Sequence, residues 1–328
     1  MADTRKTRMR SAQNDDFIAQ GAILAVATVL TKVIGVIYRI PLANILGDAG
    51  NGFYGYAYQI YAMALMVSSL SLPTAVSKLV SAKLAAGQKR NSVRVFRCSM
   101  LFAVVVGAVI TAAVFFGADA ISVYAMKSPL SVYALQMLAP GLFLVAVMAV
   151  IRGYFQGLGS MMPTAVSQII EQLIRAVISI AGASIFVDIG TRAGEKAGEE
   201  LLGPAYGAAG ATLGTVLGAL IALVFLIFVI WAYRGQMTRQ YRTDRSGRED
   251  SYRHILKVLV LTAVPILFST AIYNINQILD LTIFNHIMDA QGYVEEEYMA
   301  LQGIYSGKYD TLVNVPLSIP WPLCSSVV

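Results

Sequence analysis

Cysteine is nearly absent. The two residues present, Cys98 and Cys324, lie in or beside apolar stretches, so neither a disulfide framework nor a zinc-ligand spacing is available. Charge is scarce as well: Asp, Glu, Lys and Arg make up 13% of the 328 residues, about half the share of an average soluble domain, which excludes an ordinary soluble globule. The two histidines, His254 and His286, stand alone. No HExxH, no GxSxG and no glycine loop with a phosphate-binding lysine occurs, so the chain reads as a non-enzyme with no catalytic residues and no metal set.

What remains is apolar. Hydrophobic residues form 57% of the chain, and the mean hydropathy is +0.64. A bilayer core of about 30 Å takes roughly 20 helical residues. Runs of that kind place helices near 17–46, 53–82, 95–117, 131–152, 163–187, 204–232, 255–288 and 310–328. Stretches such as Ala208 to Trp231 are apolar on all sides, which fits spanning helices and not the alternating strands of a barrel. The predicted fold is therefore all-α and polytopic. A tail at 1–16 precedes a six-helix lobe at 17–232, a basic loop at 233–254 and the start of a second lobe at 255–328.

The net charge of +6 is distributed as a topology signal and not as a nucleic-acid surface. With the N-terminus cytoplasmic, the inside segments hold Arg5, Lys6, Arg8 and Arg10, then Lys83, Lys89, Arg90, Arg94 and Arg97, then Arg152, then Arg234, Arg239, Arg242, Arg245, Arg248, Arg253 and Lys257. The outside segments hold only Lys127, Arg192, Lys196 and Lys308, and they collect acids such as Asp48, Asp119, Asp188 and Glu195. The basic stretch from Arg234 to Lys257 is either a topology determinant touching anionic lipid or a partner-binding segment.

Four basic residues then fall inside spans: Lys32, Arg39, Lys78 and Arg175. A charge at mid-bilayer costs about 2.5–3.5 kcal/mol on insertion scales, so each needs a partner, a wet cavity or an interface to reach. Lys32 and Arg39 are two turns apart on one helix face with Gly35 between them, and Pro41 is expected to bend the helix beyond them. Arg39 either snorkels or belongs to an interior site; Lys78, near an inner helix end, snorkels. Gln168, Glu171, Gln172 and Arg175 form one polar face, with Glu171 and Arg175 spaced for an i,i+4 ion pair. That pair is either structural or opened by an anionic ligand. The seventh helix carries Asn274, Asn276, Gln277 and Asp280, the last being a proton or cation site or a counter-charge to Lys32 or Arg39. Gly203, Gly207, Gly210, Gly214 and Gly218 run in small-xxx-small order, as do Gly153 and Gly157, which predicts close helix contacts.

Several stretches carry a family resemblance. Thr31 through Tyr56, Leu72 to Lys78, Arg152 to Gly157, Pro163 to Gln172 and Gly303 to Tyr309 resemble the SpoVB/YtgP-like polysaccharide biosynthesis proteins, relatives of the MurJ lipid II flippase in the MOP exporter superfamily. The resemblance implies about fourteen helices in two lobes around a central cavity of alternating access, and a cargo of undecaprenyl-linked sugar pyrophosphate. Where MurJ carries an arginine–aspartate pair, this chain has Tyr38-Arg39, and it stops at Val328 within the eighth helix, short of most of a second lobe.

The expected function is outward movement of a lipid-linked cell-wall precursor in the bacterial cytoplasmic membrane. Lys32, Arg39 and Arg175 would hold the phosphates, Glu171 would release Arg175, and Gln168, Gln172 and Asn276 would line the cavity. No cofactor is expected beyond proton or sodium coupling, in which Asp280 is the candidate. The expected partners are an isoprenoid-linked anionic sugar lipid, membrane lipids and the missing second lobe. The rival readings are a cation-coupled multidrug exporter of the same superfamily and a non-transporting scaffold for wall or spore-coat synthesis.

Overall fold

The computed structural model describes residues 2–66, 71–244, 249–305, 309 and 313, with side chains from residue 19 onward except 266, 267, 269–278 and 281. Among the described residues there is no strand. The helices are α1 (Ala2–Leu65), α2 (Leu72–Ala85), α3 (Lys89–Ala120), α4 (Val132–Leu138), α5 (Pro140–Gly157), α6 (Met162–Ala197), α7 (Leu202–Arg242), α8 (Tyr252–Ala290) and α9 (Glu295–Ile304). Five stretches among the described residues are long and apolar enough to cross a membrane: Ala19–Leu65, Lys89–Ala125, Pro129–Gly157, Met162–Ala197 and Leu202–Arg242. Large apolar side chains such as Ile37, Leu101, Val109, Phe116, Val177, Val224 and Phe228 are exposed around the bundle. In water such a surface would be an aggregation hazard; against lipid it is the expected outer coat. The chain is a multi-pass membrane protein.

α1 doubles back on itself. Gly47 adopts φ 66°, ψ −177°, a conformation open to glycine and strained for other residues. The reversal falls there and not at Pro41, six residues earlier, where the sequence predicts the bend. Asn51 holds the corner by donating from Nδ2 to the carbonyls of Ala43 (2.8 Å) and Gly47 (2.7 Å), across the break. As a result the Arg39 guanidinium stands 4.5 Å from the Tyr54 ring centre, whereas fifteen residues of straight helix would separate the two by about 22 Å. Of the second predicted helix, 53–82, the described residues are helical up to Leu65 and again from Leu72, and 67–70 lie outside them. The short α9 is not anticipated by hydropathy; it packs into the α1 corner, where Gly52 and Gly303 let the backbones meet. The eighth predicted helix, 310–328, lies outside the described residues apart from Val313.

The small-residue stripe does what its spacing predicts. α6 and α7 form the most extensive helix pair, with Gly210 against the Gly182 carbonyl, Gly214 against Ser179 and Gly218 against the Glu171 carbonyl. Ser179 Oγ donates across the seam to the Ala211 carbonyl at 2.8 Å. Gly153 and Gly157 seat α5 on α2 in the same way, against Pro73 and Ser77.

The two ends of the bundle differ in charge chemistry. The sequence suggests a basic loop at 233–254, but α7 continues to Arg242 and α8 starts at Tyr252, so only 243–251 lies between helices. That linker carries acids which the count of basic residues passes over. Asp250 pairs with Lys83 (2.5 Å), and Glu249 with Arg90 (2.5 Å) and Arg94 (3.0 Å). Asp244 accepts from the Arg90 backbone. Each partly exposed pair contributes no more than about 1 kcal/mol, yet together they bind the linker to the α2–α3 turn. At the opposite end, Tyr56 donates to Asn285 Oδ1, Asn285 Nδ2 donates to the Met126 carbonyl (2.6 Å), and Lys127 pairs with Asp289 (3.2 Å). Segments assigned to one side of the membrane thus gather at one end, as alternating crossings require.

Glu295 opens α9 at this second end. Burial pushes its carboxyl above the ordinary range, partly offset by the Ser128 hydroxyl and the Leu130 backbone. A carboxyl whose folded pKa exceeds its unfolded value contributes stability that is fully present below about pH 4.5 and fades as pH rises through the folded value. Thermal melting in detergent is therefore expected to fall across that interval in the wild type and to lose this dependence in Glu295→Gln; identical slopes would refute the assignment.

Candidate functional site

Helix breaks and glycine contacts bring three polar faces together. The first is the α1 hairpin, which supplies Tyr38, Arg39, Tyr54, Tyr58 and Tyr61. Tyr54 stacks on Tyr58 and Tyr58 tilts against Tyr61, both with ring centres 5.9 Å apart. The second is the α6 face read from the sequence. The third is the inner part of α5, supplied by Arg152.

Glu171 is the hub. Its Oε1 receives Arg175 at 3.0 Å, the predicted i,i+4 pair, and its Oε2 receives Arg152 at 2.9 Å from α5. Arg152 Nε also donates to Ser167 Oγ at 3.0 Å, and that hydroxyl donates on to the Thr164 carbonyl. Side-chain exposures of 14% for Arg152 and 15% for both Glu171 and Arg175 make this an interior ion cluster and not a surface one. The sequence reading counts Arg152 among the inside-segment topology residues; the structure corrects this. Arg152 lies five residues before the end of α5, and the short turn to α6 at Met162 returns the chain antiparallel beside it. A signal was available in the polar face of the next helix, which offers one acid, Glu171, to more than one cation.

Arg39 and this cluster share surroundings. Tyr38 and Tyr54 couple electrostatically to both Arg39 and Arg175, and Tyr58 and Tyr61 to Arg175. Gly35 provides the close approach: a Cβ there would sit 3.1 Å from Gln172 Nε2. Arg175 Nε, Gln168 Oε1 and the Tyr61 hydroxyl are buried without a hydrogen-bond partner among the described residues. Arg39, Arg152 and Arg175 against Glu171 leave this interior two positive charges in excess, which favours an anionic ligand.

Other sequence candidates are not gathered here. Lys32 is exposed on α1 with no ion pair among the described residues, and Lys78 is exposed on α2. Asp280 is exposed on α8 and pairs with neither Lys32 nor Arg39, so the counter-charge reading does not hold in this conformation; α8 makes only slight contact with α1 and reaches it at the far end, through Asn285. The side chains of Asn274, Asn276 and Gln277 lie outside the described residues. A separate crevice of about 360 Å³, lined by Phe115, Tyr133, Phe186 and Tyr206 among others, contains no charged group.

Comparison with known proteins supplies the lineage. The chain is 31% identical over 291 residues to the uncharacterized membrane protein YabM of Bacillus subtilis, covering 88% of this chain and 51% of that protein. It is 25% identical over 308 residues to lipid II flippase MurJ of the same organism, covering 90% and 54%, and 25% identical over 314 residues to stage V sporulation protein B, covering 95% and 57%. The chain thus spans about half the length of these curated relatives. Among solved structures, an inward-facing multidrug resistance MATE transporter of the MOP superfamily superposes with a TM-score of 0.59 at 15% identity, covering 92% of this chain and 64% of that one. A MOP superfamily transporter from Pyrococcus furiosus gives 0.56 at 15% identity, covering 92% and 68%. These structures show a shared fold. The model describing "Polysaccharide biosynthesis protein" matches residues 17–328, and the chain belongs to that family.

Proposed function

We propose that this protein moves a lipid-linked, anionic polysaccharide or cell-wall precursor across the cytoplasmic membrane by alternating access, with its N-terminus inside. The observation that carries the reading is the interior pairing of Arg152 and Arg175 with a single acid, Glu171, beside a tyrosine ladder on which Arg39 stacks. Guanidinium groups match phosphate oxygens in planar, two-point geometry, and their attraction is strengthened where water is scarce. Tyrosine faces supply apolar area with a polar edge, suited to sugar rings. The family match and the flippase among the relatives point the same way. Outward passage follows from rocking one helical bundle against another around a fixed midplane site. Lys32 on the α1 face guides the head group inward, and coupling to a proton or sodium ion falls to Asp280 on α8.

The multidrug-exporter reading has the MATE fold in its favour. A cationic drug would meet an interior of the wrong sign, so the charge of the site decides against it. A scaffold role would leave these arginines without a task.

The test is rescue of a strain depleted of its cell-wall precursor flippase. Arg39→Ala and Arg175→Ala, each at wild-type membrane abundance, are expected to lower rescue by at least about tenfold, the loss of one charge-assisted contact. Full rescue by both variants would overturn the proposal.

A further inference from the structure

We infer that Glu171 is a resident anion that occupies the cargo's place, and that a diphosphate displaces it from Arg152 and Arg175 together. The inference rests on the proposed function and adds its specificity and its link to movement.

The geometry points there in three steps. First, the two guanidiniums do not share one oxygen: Arg152 takes Oε2 at 2.9 Å and Arg175 takes Oε1 at 3.0 Å, so the carboxylate lies between them as a two-point anion. Second, the donors are under-used. A guanidinium offers five N–H groups, whereas Arg175 Nε is buried with no partner among the described residues, and Arg152 gives its Nε to a neutral serine. A buried charged donor left unmatched is unfavourable in this state, and a ligand that brings an acceptor for it would relieve that cost. Third, one carboxylate cannot neutralise two arginines, so the cluster keeps one positive charge before Arg39 is counted. A diphosphate can bridge the two guanidiniums as the carboxylate does and brings more charge and further oxygens for the donor that Glu171 leaves unused; a monophosphate can bridge them but brings fewer of both.

Displacement also has a mechanical consequence. The Arg152–Glu171 contact is a direct ionic tie between α5 and α6, and Arg152 is held to α6 a second time through Ser167. An anion that takes Arg152 from Glu171 loosens that tie, so cargo binding changes how the two helices are held. Arg152 is thereby assigned as a ligand-binding residue and Glu171 as its internal competitor.

The experiment is a binding titration of the purified protein with farnesyl diphosphate, farnesyl monophosphate, inorganic diphosphate and orthophosphate. Glu171→Gln removes the competitor and is expected to bind farnesyl diphosphate at least about tenfold more tightly than wild type, while Arg152→Gln weakens it by a similar factor and Arg152→Lys by less. The double variant Glu171→Gln, Arg152→Gln keeps the wild-type charge and serves if the single Glu171 variant does not fold; it is expected to lose the preference for diphosphate over monophosphate. Inorganic diphosphate competing as well as the farnesyl form would assign the site to the free anion, and competition by the farnesyl form alone to the lipid head group; both support the diphosphate assignment. Unchanged or weaker binding by folded Glu171→Gln, or no effect of Arg152→Gln, overturns the inference while leaving the proposed function standing if Arg39→Gln and Arg175→Gln still lose binding. No binding of any probe to wild type overturns both.

Discussion

Valine in place of Gly210 is expected to prevent the folded protein from accumulating. A Cβ at this position would overlap the Gly182 carbonyl and crowd Phe186, and the reciprocal Cβ at Gly182 would overlap the Gly210 carbonyl. The first obstacle is backbone and the Phe186 Cβ is fixed directly to it, so no rotamer change relieves them; α6 and α7 have to separate. Separation also opens the Ser179-to-Ala211 bond and the contacts at Gly214 and Gly218 along the same stripe. Overpacking a soluble core costs about 1–3 kcal/mol. Here the cost exceeds that range, because lipid is as apolar as the helix surfaces and association depends on close fit. Gly218 touches the backbone of Glu171 and Arg175, so the displacement would reach the ion cluster too. Gly21 is the matching control: a Cβ there meets nothing within 4 Å, and alanine is expected to be neutral or stabilising by up to about 1 kcal/mol. Membrane abundance and size-exclusion profile in detergent read both variants. A monodisperse Gly210→Val protein melting with the wild type would refute the packing argument.

Features that depend on local chemistry were legible in the sequence. The five membrane-crossing stretches among the described residues follow from hydropathy, the α6–α7 seam from glycine spacing, and the Glu171–Arg175 pair from one helical turn. The features that were not legible depend on distant residues meeting. Arg152 looks like a loop cation because it lies near the end of an apolar run; only the return of α6 beside α5 turns it inward. Asp244, Glu249 and Asp250 lie amid arginines, and their partners are 154 to 167 positions earlier in the chain. The place of the α1 reversal was ambiguous because Pro41 and Gly47 both disrupt a helix. Gly47 takes it: a positive φ redirects the backbone, whereas a proline removes one donor and bends the helix. Of the two readings of Asp280, the counter-charge one depends on a distant contact as well. The position of that residue on a polar helix suggested an ionic partner in α1, yet α8 meets α1 through Asn285, more than a turn away.

The Arg152, Glu171, Arg175 cluster is expected to be non-additive. Arg152→Gln leaves Glu171 bonded to Arg175, and Arg175→Gln leaves it bonded to Arg152, so each single variant retains a paired carboxylate and loses about 1–2 kcal/mol. Removing both strands a mostly buried carboxylate, a situation that costs about 3–5 kcal/mol in soluble proteins. The double variant is therefore expected to lose more stability than the two singles combined, as read by thermal melting in detergent. Adding Glu171→Gln to the double variant removes the uncompensated charge and is expected to restore melting to within a few degrees of wild type, without restoring farnesyl diphosphate binding. That separation of folding from binding distinguishes a ligand site from a structural ion pair. If the cluster served packing alone, the neutral triple variant would recover function with stability. Additive losses in the double variant would mean that Glu171 finds water or another donor when its arginines are gone, and would refute the burial on which the cluster's strength depends.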